Sequence, residues 1–441
     1  MKRFWIFGIM AVVVLLTILV AFINNDNQLN VVKLLVEKDN PSNVSEREMT
    51  DNNIDFACNL FRTIYKQRQN TKFESNLSGI VVSPISVSYM LGMLNAGANG
   101  KTRQQINDVL GLGGSVEQIN KYFMSKKMID EASDLDTTIT MKIANSIIVN
   151  ESKGIRLTQH YETEMQKYYN VQIESLDFTN RSNLQHHIDN WCNTHTNDKI
   201  GYWVDFAPNA AMYMINAVYF NAVWAEKFTR LNNAMQFTME DGIDFDIYYM
   251  HLKTKAAYGK NDLYEVLCLP YSNGSYSMYV LLPREGKTIG DIILNLSAKR
   301  LEEMQSHMAT HELDILMPYF TIYDKTDLND VLSAMGMPLA FDESSAEFLN
   351  MARRHNNLYV STMKQKVLIE VKEKGIKAPA DTIVDLSQKE APDIKHFHAT
   401  RPFVYYIVEN STGTIYFMGT FRGEGGEVPQ HHPEFELHIG T

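Results

Sequence analysis

Hydrophobic runs of two periods, one suited to strands and one to helices, succeed each other along this 441-residue chain without strict alternation, and that order most limits its fold. Strand-like runs lie at residues 79–82, 141–149, 212–220, 264–269, 277–283, 312–318, 366–371, 404–408 and 414–419. Helical spacing is read at 54–67, from Ser83-Pro84 to about Gly97, and at 158–169, 184–194, 298–308 and 325–335. A doubly wound parallel sheet needs a crossover helix after each strand, so the expected class is α+β. No internal repeat is visible. With 45% hydrophobic and 11% aromatic residues the chain can bury a sizeable core, although its length alone leaves the domain count open.

The formal charge of −11 argues against a general affinity for nucleic acid or anionic lipid, which needs clustered Lys and Arg. Lys121, Lys126 and Lys127 come closest to a cluster, but Asp130, Glu131, Asp134 and Asp136 follow. A solvated helix face is expected there, and no clear polyanion site. At the N-terminus Lys2 and Arg3 precede an uncharged run over 4–23, which reads as a signal peptide with a candidate cut at Ala21, or as an uncleaved signal anchor. Both readings export the body, so the expected location is extracellular, secreted or membrane-anchored. Sequons at Asn43, Asn76, Asn150, Asn180, Asn273, Asn295 and Asn410 fit that route. Cys58, Cys192 and Cys268 are an odd number and make no disulfide framework. Cys58 and Cys268, in apolar surroundings, are expected to act as small buried hydrophobes. Residues 24–53 read as a polar arm, 54–422 as the folded domain and 423–441 as a free tail.

Signatures of catalysis are missing: there is no Gly-x-Ser-x-Gly elbow, His-Glu-x-x-His helix, Walker loop or Cys-x-x-Cys pair. The run 111–114, Gly-Leu-Gly-Gly, is expected to end a helix rather than cradle phosphate. Adjacent histidines at His186-His187 and His431-His432 would point apart on a helix or hang in the tail, so no metal site and no cofactor is expected. Ser83 and Ser86 lack a base and an oxyanion site, and are expected to cap and hydrogen-bond at a helix start. The expected chain is not an enzyme.

The string from Gly79 to Ile106, with Ser83-Pro84, Ser86, Gly97, Gly100, Thr102 and Gln105, closely resembles the first signature of the serpins. Further stretches are similar to later family motifs. These are Leu176-Asp177-Phe178, Trp191 with Lys199-Ile200, the run 216–220 with Trp224 and Phe228, and Leu269-Pro270-Tyr271 with Leu282-Pro283. Met335-Gly336-Met337, Arg401-Pro402-Phe403 and the run 412–419 complete the series in order from about Ile54 to Phe421. The resemblance implies a single α+β domain with a large central mixed sheet, two further sheets and surrounding helices.

It also implies that the segment from about Gly375 to Phe397 is a protease bait. A serine protease cuts it, the loop inserts as a new strand, and the acyl-linked enzyme is dragged and distorted. The family's spacing from the hinge glycine places the scissile bond at Lys389–Glu390, which suggests a trypsin-like target. Glu373, Gly375, Ile376, Ala378, Pro379 and Ala380 form the hinge, and Ser83, Ser86, Asn216 and Gln365 belong to the region where the sheet opens. Insertion needs one face of the loop to be small or apolar, and Ile376, Ala378, Ala380, Thr382, Val384 and Leu386 supply it. Pro379 has no N–H for a central ladder. Ile376 replaces the family's usual Thr or Ser, Lys377 an acidic residue, Gln365 the common His and Gly79 the common Asn. These departures leave a second role open, as a non-inhibitory binding, carrier or storage protein.

Overall fold

A computed structural model describes residues 44–70, 79–133, 137–200, 207–352, 358–377 and 394–423. Contacts group Arg47–Thr441 as one unit and Met1–Glu46 as another. The first helix among the described residues, Glu46–Asn70, begins before the expected boundary at Ile54. Met49, Thr50 and Asn53 are buried, and Asn53 donates to Ser88 Oγ at 2.7 Å, so the end of the supposed polar arm belongs to the fold.

Strands β1 (Val81–Val82), β2 (Ile139–Asn150), β3 (Gln172–Leu176), β4 (Met212–Ala222), β5 (Trp224–Glu226), β6 (Thr229–Arg230), β7 (Met235–Thr238), β8 (Asp244–Ile247) and β9 (Tyr249–Lys260) occupy the first part of the chain. Then come β10 (Tyr264–Pro270), β11 (Tyr276–Pro283), β12 (Ala309–Pro318), β13 (Phe320–Asp327), β14 (Thr362–Val371), β15 (Gly375–Lys377), β16 (Lys395–His398), β17 (Phe403–Glu409) and β18 (Thr414–Phe421). The central sheet has the order β13-β14-β4-β2-β3. It is mixed: β14 and β4 run parallel, while β13 with β14 and β2 with β4 are antiparallel. β4 is buried on both faces, which explains why its sequence is largely apolar rather than alternating, with Asn216 as its buried polar exception.

The two further sheets meet in β9. Along nearly its whole length β9 pairs with β12, which carries β16 at the edge; its last residues pair with β10 and continue through β11, β17 and β18 to β1. Phe220 of the central sheet packs on Tyr271, Tyr276 and Phe417, joining the layers through aromatic contacts with centroids 5.3–6.5 Å apart.

The helix Pro84–Gly97 lies between these layers and is buried almost all round, with proline in its first turn. Gly92 is required there, because a Cβ would come within 2.8 Å of the Phe123 ring. The helix Gly100–Leu110 ends at Gly111 in the left-handed region (φ 71°), as expected of a terminator. Three expectations fail. Residues 325–327 are strand, not helix: β13 alternates buried and exposed residues against β14, and Asp327 caps the helix Leu328–Met335 by accepting from Asn329 N–H. Lys126 is not solvated but 1% exposed, its ammonium 4.8 Å from the centroid of the Tyr122 ring. The presumed loop at 375–397 is strand at both ends, as β15 and β16.

Among the described residues no helix is long and apolar enough to cross a membrane. The N-terminal run 4–23, Asn43, Asn76 and the tail beyond Gly423 lie outside them.

Candidate functional site

The chain enters the site along β14, whose nine register pairs with β4 run from Thr362 opposite Tyr213 to Glu370 opposite Asn221. Two side-chain clasps straddle this seam. Midway, Gln365 Nε2 donates to Asn216 Oδ1 at 2.8 Å and to the Ser83 carbonyl at 3.0 Å, while Gln365 Oε1 accepts from Ser83 N–H at 2.9 Å. Asn216 in turn donates to the Ala144 carbonyl and to Asn145 Oδ1 on β2, so one chain of bonds ties the helix start to three strands. Near the end of the seam Tyr219 donates its hydroxyl to Glu370 Oε2 at 2.6 Å, and Lys372 sits 2.6 Å from Glu370 Oε1. Burial alone would raise the Glu370 carboxyl, but the hydrogen bonds from Lys372 and Tyr219 outweigh it and hold it below its ordinary value. Burial and the same bond push the Tyr219 phenol up to about 12.

Beyond Val371 the chain turns onto a platform of aromatic rings. Trp224 stacks on Tyr271 with centroids 4.2 Å apart and planes within 11°, and its indole N–H donates to the Lys372 carbonyl at 2.7 Å. Trp224 N–H donates to the Lys374 carbonyl and Phe228 N–H to the Glu373 carbonyl. β15 then runs parallel to β5, with Gly375 opposite Trp224 and Lys377 opposite Glu226. A Cβ on Gly375 would fall 2.6 Å from the Glu226 carbonyl carbon and closer still to the Lys227 backbone, so this docking needs glycine.

Of the residues expected at the site, Ser83, Asn216 and Gln365 come together, Ser86 lies in the first turn of the helix that follows Ser83, and Glu373 and Gly375 meet the platform. Ala378, Pro379, Ala380, Lys389 and Glu390 lie outside the described residues, as do Thr382, Val384 and Leu386. Ser83 and Ser86 do not act as expected. Their hydroxyls are buried and without a partner among the described residues, and it is the Ser83 backbone that bonds, because Gln365 takes both its N–H and its carbonyl. Gly79 fits a close approach: a Cβ there would come within 2.7 Å of the Thr420 carbonyl oxygen.

The Trp224–Tyr271 stack and the Tyr219–Glu370 clasp escaped the sequence reading as site residues, although Trp224, Tyr271 and Tyr219 all lie within the family-like motifs. Asn150 is 0% exposed; it donates to the Pro208 and Ala210 carbonyls, so its side chain is closed to a glycan in the folded chain. Asn180, Asn273 and Asn410 are exposed and Asn295 half-buried. Cys58 and Cys192 are buried, their thiols pushed up by burial to about 12, and Cys268 is half-buried. His186 and His187 diverge, one to Asn190 and the other to Glu174.

A family model described as serpin (serine protease inhibitor) matches residues 51–423. Human glia-derived nexin is 29% identical over 378 residues, covering 82% of this chain and 89% of that one. Neuroserpin from Gallus gallus is 26% identical, with 86% and 93% covered. The crystal structure of native protease nexin-1 with heparin superposes with a TM-score of 0.74 at 26% identity, covering 86% of this chain and 99% of the other. The match of the family model to residues 51–423, with these relatives, makes the chain a member of the serpin family, non-catalytic proteins that generally target serine proteases.

Proposed function

We propose that the chain is a secreted inhibitor of a serine protease that works by cleavage and insertion of residues 375–397. One observation carries this reading: β4 and β14 are neighbours and parallel. A segment that leaves β14 and turns back runs antiparallel to β14, and therefore antiparallel to β4 as well. At this seam it gains two antiparallel ladders, the more stable pairing per residue. The small or apolar row from Ile376 to Leu386 suits the face that would turn inward. Lys389 before Glu390 suits a trypsin-like enzyme. The charged start at Lys2 and Arg3, the apolar run 4–23 and the exposed sequons at Asn180, Asn273 and Asn410 support export. N-terminal sequencing of the exported product separates a removed signal peptide from a retained anchor.

The test is to mix the protein with trypsin-like proteases and separate the products on a denaturing gel. A detergent-stable covalent complex is expected; a loop that is only cut, with every protease tried, overturns inhibition. A second reading, a binding, carrier or storage protein, is favoured by the docking of β15 on β5, which holds the hinge outside the seam. Pro379, which would forfeit a ladder bond inside the sheet, favours it too.

A further inference from the structure

A histidine-rich cluster that the seam does not use lies where β16 joins its sheet. Asp314 on β12 is 2% exposed, and its two carboxylate oxygens have different partners. Oδ1 lies 2.6 Å from His251 Nε2 on β9, with Lys253 Nζ at 3.7 Å. Oδ2 faces β16, 2.7 Å from His398 Nε2 and 3.3 Å from His396 Nδ1. His396 and His398 are two residues apart on one strand and so share a face, and His396 is the register partner of Asp314.

We propose that Asp314 Oδ2, His396 Nδ1 and His398 Nε2 bind a zinc ion that fastens β16 to the sheet. These three ligand atoms lie within 4.8 Å of one another. Zinc bonds of about 2.0–2.2 Å to nitrogen and oxygen set the ligand atoms of a tetrahedral ion about 3.4 Å apart. The His396–Asp314 separation, 3.3 Å, is close to that value, and His398 reaches it by withdrawing about 0.7 Å, within the freedom of a side chain 37% exposed. The donor set suits zinc: two imidazoles and a carboxylate, with the fourth position open to water.

The surroundings supply what a metal centre needs beyond its ligands. His251 is 5% exposed and holds Oδ1, orienting the carboxylate so that Oδ2 points at the two histidines. The Lys253 ammonium is on the Oδ1 side, and at 39% exposure it can turn to solvent. β16 lies at the end of its sheet with four register pairs to β12, so an ion shared by Asp314, His396 and His398 would resist peeling of that edge.

The full chain, stripped with a chelator, is titrated with zinc by calorimetry and with cobalt(II) by visible absorption. The expected results are one equivalent bound at micromolar concentration or tighter, cobalt bands of a four-coordinate site, and a zinc-dependent rise in melting temperature. His396→Ala and His398→Ala, both at exposed or half-exposed positions, should each weaken binding at least tenfold and abolish the zinc-dependent rise. His431→Ala with His432→Ala should leave all three readouts in place. Absence of stoichiometric zinc binding by the unmutated chain overturns the proposal without reference to any variant. So does binding that survives His396→Ala and His398→Ala but is lost with the tail histidines.

Discussion

Cutting the chain between Lys389 and Glu390 would free the segment after Gly375 to enter the seam, and the ladder sets the scale of the effect. β4 and β14 share nine register pairs. Insertion exchanges one ladder for two, a net gain of about one ladder of hydrogen bonds. At about 0.5–1.5 kcal/mol net per bond, the cut and inserted form is more stable by about 5–13 kcal/mol. Pro379 subtracts about one bond from that sum. A domain of this size unfolds with an entropy of about 0.8 kcal/mol per kelvin, so the melting midpoint should rise by about 6–16 °C. The assay is limited trypsin digestion, mass spectrometry to place the cut, and thermal melting of intact and cut protein side by side. A chain fully cut within 378–393 and still folded, yet melting within about 2 °C of the intact one, would refute insertion and favour the carrier reading.

Gln365→Ala leaves the Ser83 N–H and carbonyl and Asn216 Oδ1 without their partner in a buried site, and should cost about 3 kcal/mol of stability, read as a lower denaturation midpoint. An unchanged midpoint would show that the central clasp carries no energy. Gly375→Ala forces β15 off β5; hydrogen exchange at the Trp224 and Phe228 amides, which bond to Lys374 and Glu373, should quicken at least tenfold, and protection equal to that of the unmutated chain would show that the docking of β15 does not depend on Gly375. Burial lowers the Lys366 ammonium from 10.5 to about 8, so between those values the unfolded chain holds more protons and stability rises with pH. Below about pH 8 the penalty is fully present. Lys366→Met should therefore stabilise the protein at neutral pH, and its advantage in denaturant melts should shrink as pH climbs from 8 to 10; a constant advantage would exclude titration of Lys366 as its source.

Much of the architecture is legible in the sequence. The class, most strand and helix positions, the helix start at Pro84 and the stop at Gly111 all follow from local rules. Side-chain period decides whether a run can bury one face as a strand or a stripe as a helix, and proline and glycine mark the ends. The family resemblance rested on the same local strings, and so did the alternating row from Ile376 to Leu386. The first turns of the helix Glu46–Asn70 were lost for a related reason: Glu46 to Asn53 is polar by composition, and only packing shows that Met49, Thr50 and Asn53 face inward.

Tertiary structure alone decided who meets whom across long stretches of chain. Ser83 meets Gln365 282 residues later, Tyr219 meets Glu370 after 151, and Trp224 meets Lys372 after 148. Such pairs leave no periodic trace, because each partner's local pattern is satisfied by its own strand or helix. Lys126 and Asn150 look like surface residues in sequence, yet a ring and two carbonyls draw them inward. The spacing of His396 and His398 was visible all along. It became a candidate metal centre only when β9 and β12 brought His251 and Asp314 beneath it, since ligation depends on distances of a few ångströms that sequence separation does not determine.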